Sequence, residues 1–162
     1  LPFVLYRLLR SVDEIAAKLM VLLAVVSVPI SFLNLQNKYA VLTLIQDAQY
    51  SGFFPEGQLS GQVMFLLDNY NNGILILLVF WGLWLFPFGY LVFRSGFLPK
   101  ILGLLLMLGC IAYMISFAGN TMMQNFGETA LAGFVRLPPA LGEIGTCIWL
   151  LLRGINERRV PT

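Results

Sequence analysis

GILILLVFWGLWLFPFGYLVF (Gly73–Phe93), RSGFLPK (Arg94–Lys100) and ILGLLLMLGCIAYMISF (Ile101–Phe117) follow one another without a gap. No charge occurs between Asp68 and Arg94, and none between Lys100 and Glu128. Either apolar run is long enough to cross a hydrocarbon layer of about 30 Å as a helix, which takes roughly 20 residues. The residues between them carry a stop and a start. Ser95-Gly96 can end the first helix, with Gly96 in the left-handed conformation that glycine adopts cheaply. Pro99 suits the first turn of the second helix, where its missing N–H would have no partner anyway. Arg94 and Lys100 mark the two mouths. The pattern predicts a tight transmembrane helical hairpin.

Composition agrees. The chain is 59% hydrophobic and 11% charged, where a soluble domain carries about 25% charge. The apolar runs are continuous and lack the alternation of a membrane β-barrel strand. The expected class is all-α: a polytopic helical membrane protein with its four spans in a single domain over 1–162. A net charge of +2 is too small to imply nucleic acid. The absence of histidine removes the commonest metal ligand and the usual near-neutral acid–base group. It also argues against ordinary chlorophyll ligation, and no lysine lies deep enough for a retinal Schiff base. Cys110 and Cys147 have no metal-ligand spacing and read as small packing residues. Serine and threonine occur in no nucleophile motif. No catalytic residue, metal or cofactor is expected.

From the N-terminus, LPFVLY reads as the end of an earlier helix and the chain as a fragment. Ser11 followed by Glu14 fits a capping box for a span over about 14–48. Pro29 removes one backbone bond there, and Ser27, Ser31, Asn34 and Gln36 should face other helices. Gly52–Pro55 breaks this helix. Residues 56–69 are amphipathic. They either lie on the outer surface or run straight into the span over about 70–94, which Pro87 interrupts. The third span covers about 99–118, and Gly82, Gly89, Gly103 and Gly109 allow close helix contacts. GNTMMQNFGETALAGFVRLPP reads as an outer loop with an amphipathic or re-entrant turn. Pro138-Pro139 then starts the last span, about 138–154, and NERRVPT forms a basic tail.

Lysine and arginine placement orients the spans. With the turn 94–100 in the cytoplasm, Arg7, Arg10, Lys18, Arg94, Lys100, Arg153, Arg158 and Arg159 lie inside, leaving Lys38 and Arg136 outside. The C-terminus is then cytoplasmic as well.

GLWLFPFGYLVFRSGFLPKILGLLL, together with Pro139-Ala140-Leu141-Gly142-Glu143 and Trp149-Leu150-Leu151-Leu152, resembles the signature of a bacterial family of integral membrane proteins, domain of unknown function 4386. The resemblance covers roughly Asp68 to Gly154, with a weaker fit before it. It implies a six-helix protein in the bacterial cytoplasmic (inner) membrane, and it brings no activity.

Candidate site residues come from polarity in the wrong place. Glu143 is a carboxylate inside a span, which is a functional hypothesis by default. Its competing reading is a helix N-terminus, where the dipole favours negative charge, with Arg136 or Asn120 as partner. Asp47, Asp68, Asn120, Glu128 and neighbouring amides could line an outer vestibule with it. Trp81 and Trp84, with nearby phenylalanines, could form an aromatic pocket for a lipid, quinone or pigment; helix packing is the alternative. The candidate ligand residues are therefore Glu143, Asn120, Trp84, Trp81 and Asp68. Abundant packing features without chemistry favour a non-catalytic accessory or stabilising subunit, whose partners are the lipid bilayer and other membrane subunits. A small transporter or a lipid- or small-molecule-binding protein is the alternative. A membrane-embedded enzyme acting at the outer face is a third reading.

Overall fold

Helices account for nearly all of the described residues because almost every stretch is apolar and only the interruptions differ. The computed structural model describes residues 1–47, 54–96, 98–123 and 125–154. The elements are α1 (Pro2–Leu9), α2 (Glu14–Gln46), α3 (Glu56–Ser95), α4 (Lys100–Met122), a 3-10 turn at Phe126–Glu128 and α5 (Ala130–Leu152). Among the described residues there is no strand. Among the described residues, four helices are long and apolar enough to cross a membrane. The protein is an all-α, polytopic membrane protein.

The hairpin turn follows its local chemistry. α3 ends at Ser95 and Gly96 takes φ +69°, a left-handed value open to a residue without Cβ. Pro99 caps α4 from just before its first residue (φ −60°, ψ 128°) rather than from within the first turn.

Several boundaries differ from expectation. α2 opens on Asp13, not on a Ser11 box: the Asp13 carboxylate accepts from the Ala16 N–H at 3.0 Å. Aspartate is as good a cap as serine, and it is the residue directly before the helix. Residues 56–69 join the following span in one uninterrupted helix, α3. Neither Pro29 nor Pro87 ends its helix. Each proline removes one backbone bond, and a membrane helix tolerates the loss where neighbours supply partners. The largest difference is at α5. It starts at Ala130, with Thr129 Oγ1 accepting from the Ala132 N–H at 3.2 Å. Pro138 and Pro139 therefore sit inside the helix. Most of the expected outer loop is helical, because α4 runs on to Met122 and α5 begins early. Of the expected break at Gly52–Pro55, Phe54 and Pro55 are described and lie outside the helices, just before α3 begins at Glu56; its first two residues and the basic tail NERRVPT fall outside the described residues.

The contacts gather into two units, Leu1–Ser27 with Leu78–Thr162, and Val28–Leu77. In the second, the Asn34 side chain is buried and its amide donates to the Tyr70 carbonyl at 3.0 Å. Gly73 leaves the space, since a Cβ there would collide with the Asn34 side chain. Lys38 Nζ lies 4.0 Å from the Tyr70 ring centroid.

The first unit holds a core of Leu5, Leu9, Ala17, Met20, Leu85, Phe88, Leu91, Val92, Leu98, Leu102 and Leu106, with Cys110. Its helices meet along glycines. A Cβ on Gly89 would lie 2.6 Å from the Gly103 carbonyl oxygen, and one on Gly103 would lie 2.6 Å from the Gly89 carbonyl oxygen. α4 and α5 meet in the same way at Gly109, against Pro139, and at Gly142, against Leu105 and Leu106. Backbones that approach this closely gain dispersion contacts, the main attraction left between helices in lipid. Pro139 is thus a buried packing surface in mid-helix. Cys110 is buried as expected, whereas Cys147 is exposed.

Candidate functional site

The seam between α4 and α5 fixes where Glu143 points. Gly142 is buried against α4, so the next residue lies at the edge of that contact. Glu143 is half-buried there. The Tyr113 hydroxyl of α4 donates to Glu143 Oε1 at 3.1 Å. Because α5 starts at Ala130, Glu143 lies more than three turns from the helix N-terminus. The helix dipole acts within the first turn, so it does not stabilise this carboxylate. That overturns the reading of Glu143 as a residue near a helix start.

Glu143 and Tyr113 face a cavity of about 450 Å³, lined by Leu1, Pro2, Ala24, Ser27, Trp81 and Trp84. Ser27 is buried and its hydroxyl donates to the Ala24 carbonyl at 2.8 Å. Beyond Glu143 a smaller cavity of about 80 Å³ continues between Leu5, Phe88, Thr146, Cys147 and Leu150. Leu1, Trp84 and Glu143 belong to both. Trp84 stacks on Phe88, with ring centroids 5.5 Å apart and planes 7° off parallel. Thr146 is buried and satisfied by the Gly142 carbonyl at 2.6 Å.

Three of the five residues expected to bind a ligand, Glu143, Trp81 and Trp84, therefore meet at one cavity. Asn120 does not: its amide donates to the Ser116 carbonyl on its own helix at 2.7 Å, while its Oδ1 and the Arg136 guanidinium both border Gly127. Asp68 belongs to the Val28–Leu77 unit and is exposed. Trp149 packs on the core and carries the Arg153 guanidinium 4.9 Å from its ring centroid. Tyr113 and Ser27 are the polar lining residues that sequence reasoning did not single out for this site. The signal for Tyr113 was a hydroxyl in the apolar part of a span, since a tyrosine hydroxyl removed from water needs a partner. Among the described residues no group of three or more acidic or cysteine side chains is placed to hold a metal.

The arrangement offers one carboxylate, two hydroxyl donors already engaged and several aromatic rings, in a recess of ligand size. It can bind and orient.

Comparison with other proteins gives a family and little beyond it. A protein of Archaeoglobus fulgidus, described as uncharacterized, is 30% identical over 76 residues; the match covers 47% of this chain and 43% of that protein. No solved structure matches the chain. The sequence profile of the family described as "Domain of unknown function (DUF4386)" matches residues 1–154, well before the Asp68 at which the resemblance becomes easy to see. The chain belongs to that family.

Proposed function

We propose, from a carboxylate held in an aromatic recess among membrane helices, that the protein binds a small molecule or lipid within the membrane. The observation that carries the reading is the shared lining of Glu143, Tyr113, Trp81 and Trp84. A cavity of about 450 Å³ falls within the roughly 300–1,000 Å³ usual for ligand sites. Mid-helix carboxylates in membranes are expensive and are found mainly where an ion, proton or ligand is handled. A small transporter and a fixed binding protein both use such a site, and both remain within this proposal. Native mass spectrometry of the protein released from its own membrane tests it. The expected spectrum shows the chain plus a bound small molecule. Ala24→Trp, which places a large ring in the recess, should remove the adduct. A bare chain in both cases would refute the proposal.

A second reading, an accessory or stabilising subunit, draws on the surface of α2 and α5. Only 17% of the most apolar window of either helix is buried, so much apolar surface is left for lipid or for another protein. The same spectra distinguish the two, since a partner subunit adds a protein-sized mass.

For location we propose the bacterial cytoplasmic membrane, with the turn 94–100 and the C-terminus on the cytoplasmic side. Charge bias supports this orientation. Eight of the chain's ten lysines and arginines fall on the side assigned as inside, as insertion favours.

A further inference from the structure

The proposed binding site has a chemical preference that its lining residues carry. We infer that the Glu143 cavity takes an organic cation of the alkylammonium class, with the ammonium at the Glu143 carboxylate among the rings of Trp81, Trp84 and Tyr113. This rests on the binding reading above and adds the ligand's charge to it.

The first reason is charge. Glu143 lies in the middle of a helix that can cross the membrane, and no lysine or arginine side chain lines its cavity. Its hydrogen-bond partner is the neutral Tyr113 hydroxyl. A hydroxyl donor eases the partial burial of a carboxylate, and a half-buried carboxylate with room beside it is a favourable place for an opposite charge. The space where that charge could sit is the cavity itself.

The second reason is the rings. Indole is the best aromatic partner for a cation, and alkylated ammonium groups are bound by aromatic cages because they are large, weakly hydrated and unable to use many hydrogen bonds. Trp81, Trp84 and Tyr113 surround the same space as the carboxylate. An anionic ligand would meet a carboxylate. A metal ion such as Ca²⁺ would want about six to eight oxygen ligands, and the lining offers one carboxylate and two hydroxyls.

The third reason is shape. The larger cavity suits a head group. The smaller one beyond Glu143 is bordered by Leu5, Phe88 and Leu150 and suits an apolar substituent. Both meet at Glu143 and Trp84, so the cationic centre and the apolar part of one molecule can each find their place.

The test compares octyltrimethylammonium, octanol and octyl sulfate with the full-length protein in a neutral maltoside detergent. Fluorescence is read in a Trp149→Phe background, so that Trp81 and Trp84 report. The ammonium should bind saturably, and octanol and octyl sulfate should bind much more weakly. Glu143→Gln should weaken ammonium binding by about tenfold or more, equivalent to about 1.4 kcal/mol. Tyr113→Phe keeps the charge and should keep most of the binding. If Glu143→Gln fails to fold, Trp84→Leu read by calorimetry serves in its place, and should weaken the ammonium without strengthening octanol. Equal binding of the ammonium by wild type and Glu143→Gln would overturn the cation assignment. So would octanol or octyl sulfate binding as well as the ammonium, with the cavity still a binding site. Binding of none of the three would overturn both the cation and the binding reading.

Discussion

Gly103→Ala puts a methyl group where the hairpin has no room for one. The new Cβ would stand 2.6 Å from the Gly89 carbonyl oxygen and 2.6 Å from the Phe93 nitrogen, against the 3.4 Å at which ordinary contact begins, a shortfall of about 0.8 Å. Both obstacles are backbone atoms, so no side chain can rotate away. Either α3 and α4 move apart along the hairpin or one of them bends. Overpacking of this kind typically costs about 1–3 kcal/mol, and backbone obstacles argue for the upper part of that range. Helix propensity acts the other way, because alanine is favoured over glycine by about 1 kcal/mol. The net loss expected is therefore about 1–2 kcal/mol. Gly133→Ala is the control: it lies in α5 with nothing within 4 Å of its new Cβ, so propensity alone acts and stability should hold or rise slightly. The assay is thermal unfolding in detergent, followed by loss of the monodisperse species. The pair Gly89→Ala with Gly103→Ala should cost less than the sum of the two, since one separation of the helices relieves both clashes. If Gly103→Ala were as stable as Gly133→Ala, the close approach at the hairpin would be wrong.

Other perturbations probe the rest of the fold. Asn34→Ala removes the bond to the Tyr70 carbonyl and should cost about 0.6 kcal/mol, with about 1.7 as the upper limit for such bonds in membranes; thermal unfolding reads it. Thr129→Ala removes the cap of α5 and should cost about 1 kcal/mol. Its signature is faster hydrogen exchange at the Ala132 amide, with the centre of α5 unaffected. Orientation is read by Ser95→Cys and Ser60→Cys in a background lacking Cys110 and Cys147. An impermeant thiol reagent applied to intact cells should label position 60 and spare position 95.

Residues that act through their neighbours in sequence were legible. The hairpin could be read because two charge-free runs flank a turn containing a glycine and a proline. Gly89 and Gly103 could be read as contact points because a membrane helix rarely exposes glycine without using it. The start of α5 was misread because Pro138-Pro139 is a strong local start signal. Thr129 outcompetes it by capping a helix that contains both prolines and packs Pro139 against Gly109. That outcome depends on tertiary packing, which no local pattern reports. Glu143 stood out as a carboxylate in an apolar segment, yet its partner did not: Tyr113 is 30 positions away, and only the α4–α5 seam joins them. Asn120 and Arg136 looked equally suitable by charge, and the fold directs both towards Gly127 instead.

The central claim is that the recess at Glu143 is occupied. A structure determined by electron microscopy or crystallography on protein kept in its native lipid throughout purification addresses it most directly. The account predicts non-protein density between Trp81, Trp84 and Tyr113, within contact distance of the Glu143 carboxylate. A recess filled by the protein's own side chains, or closed by direct packing of α2 on α5 around Glu143, would contradict it.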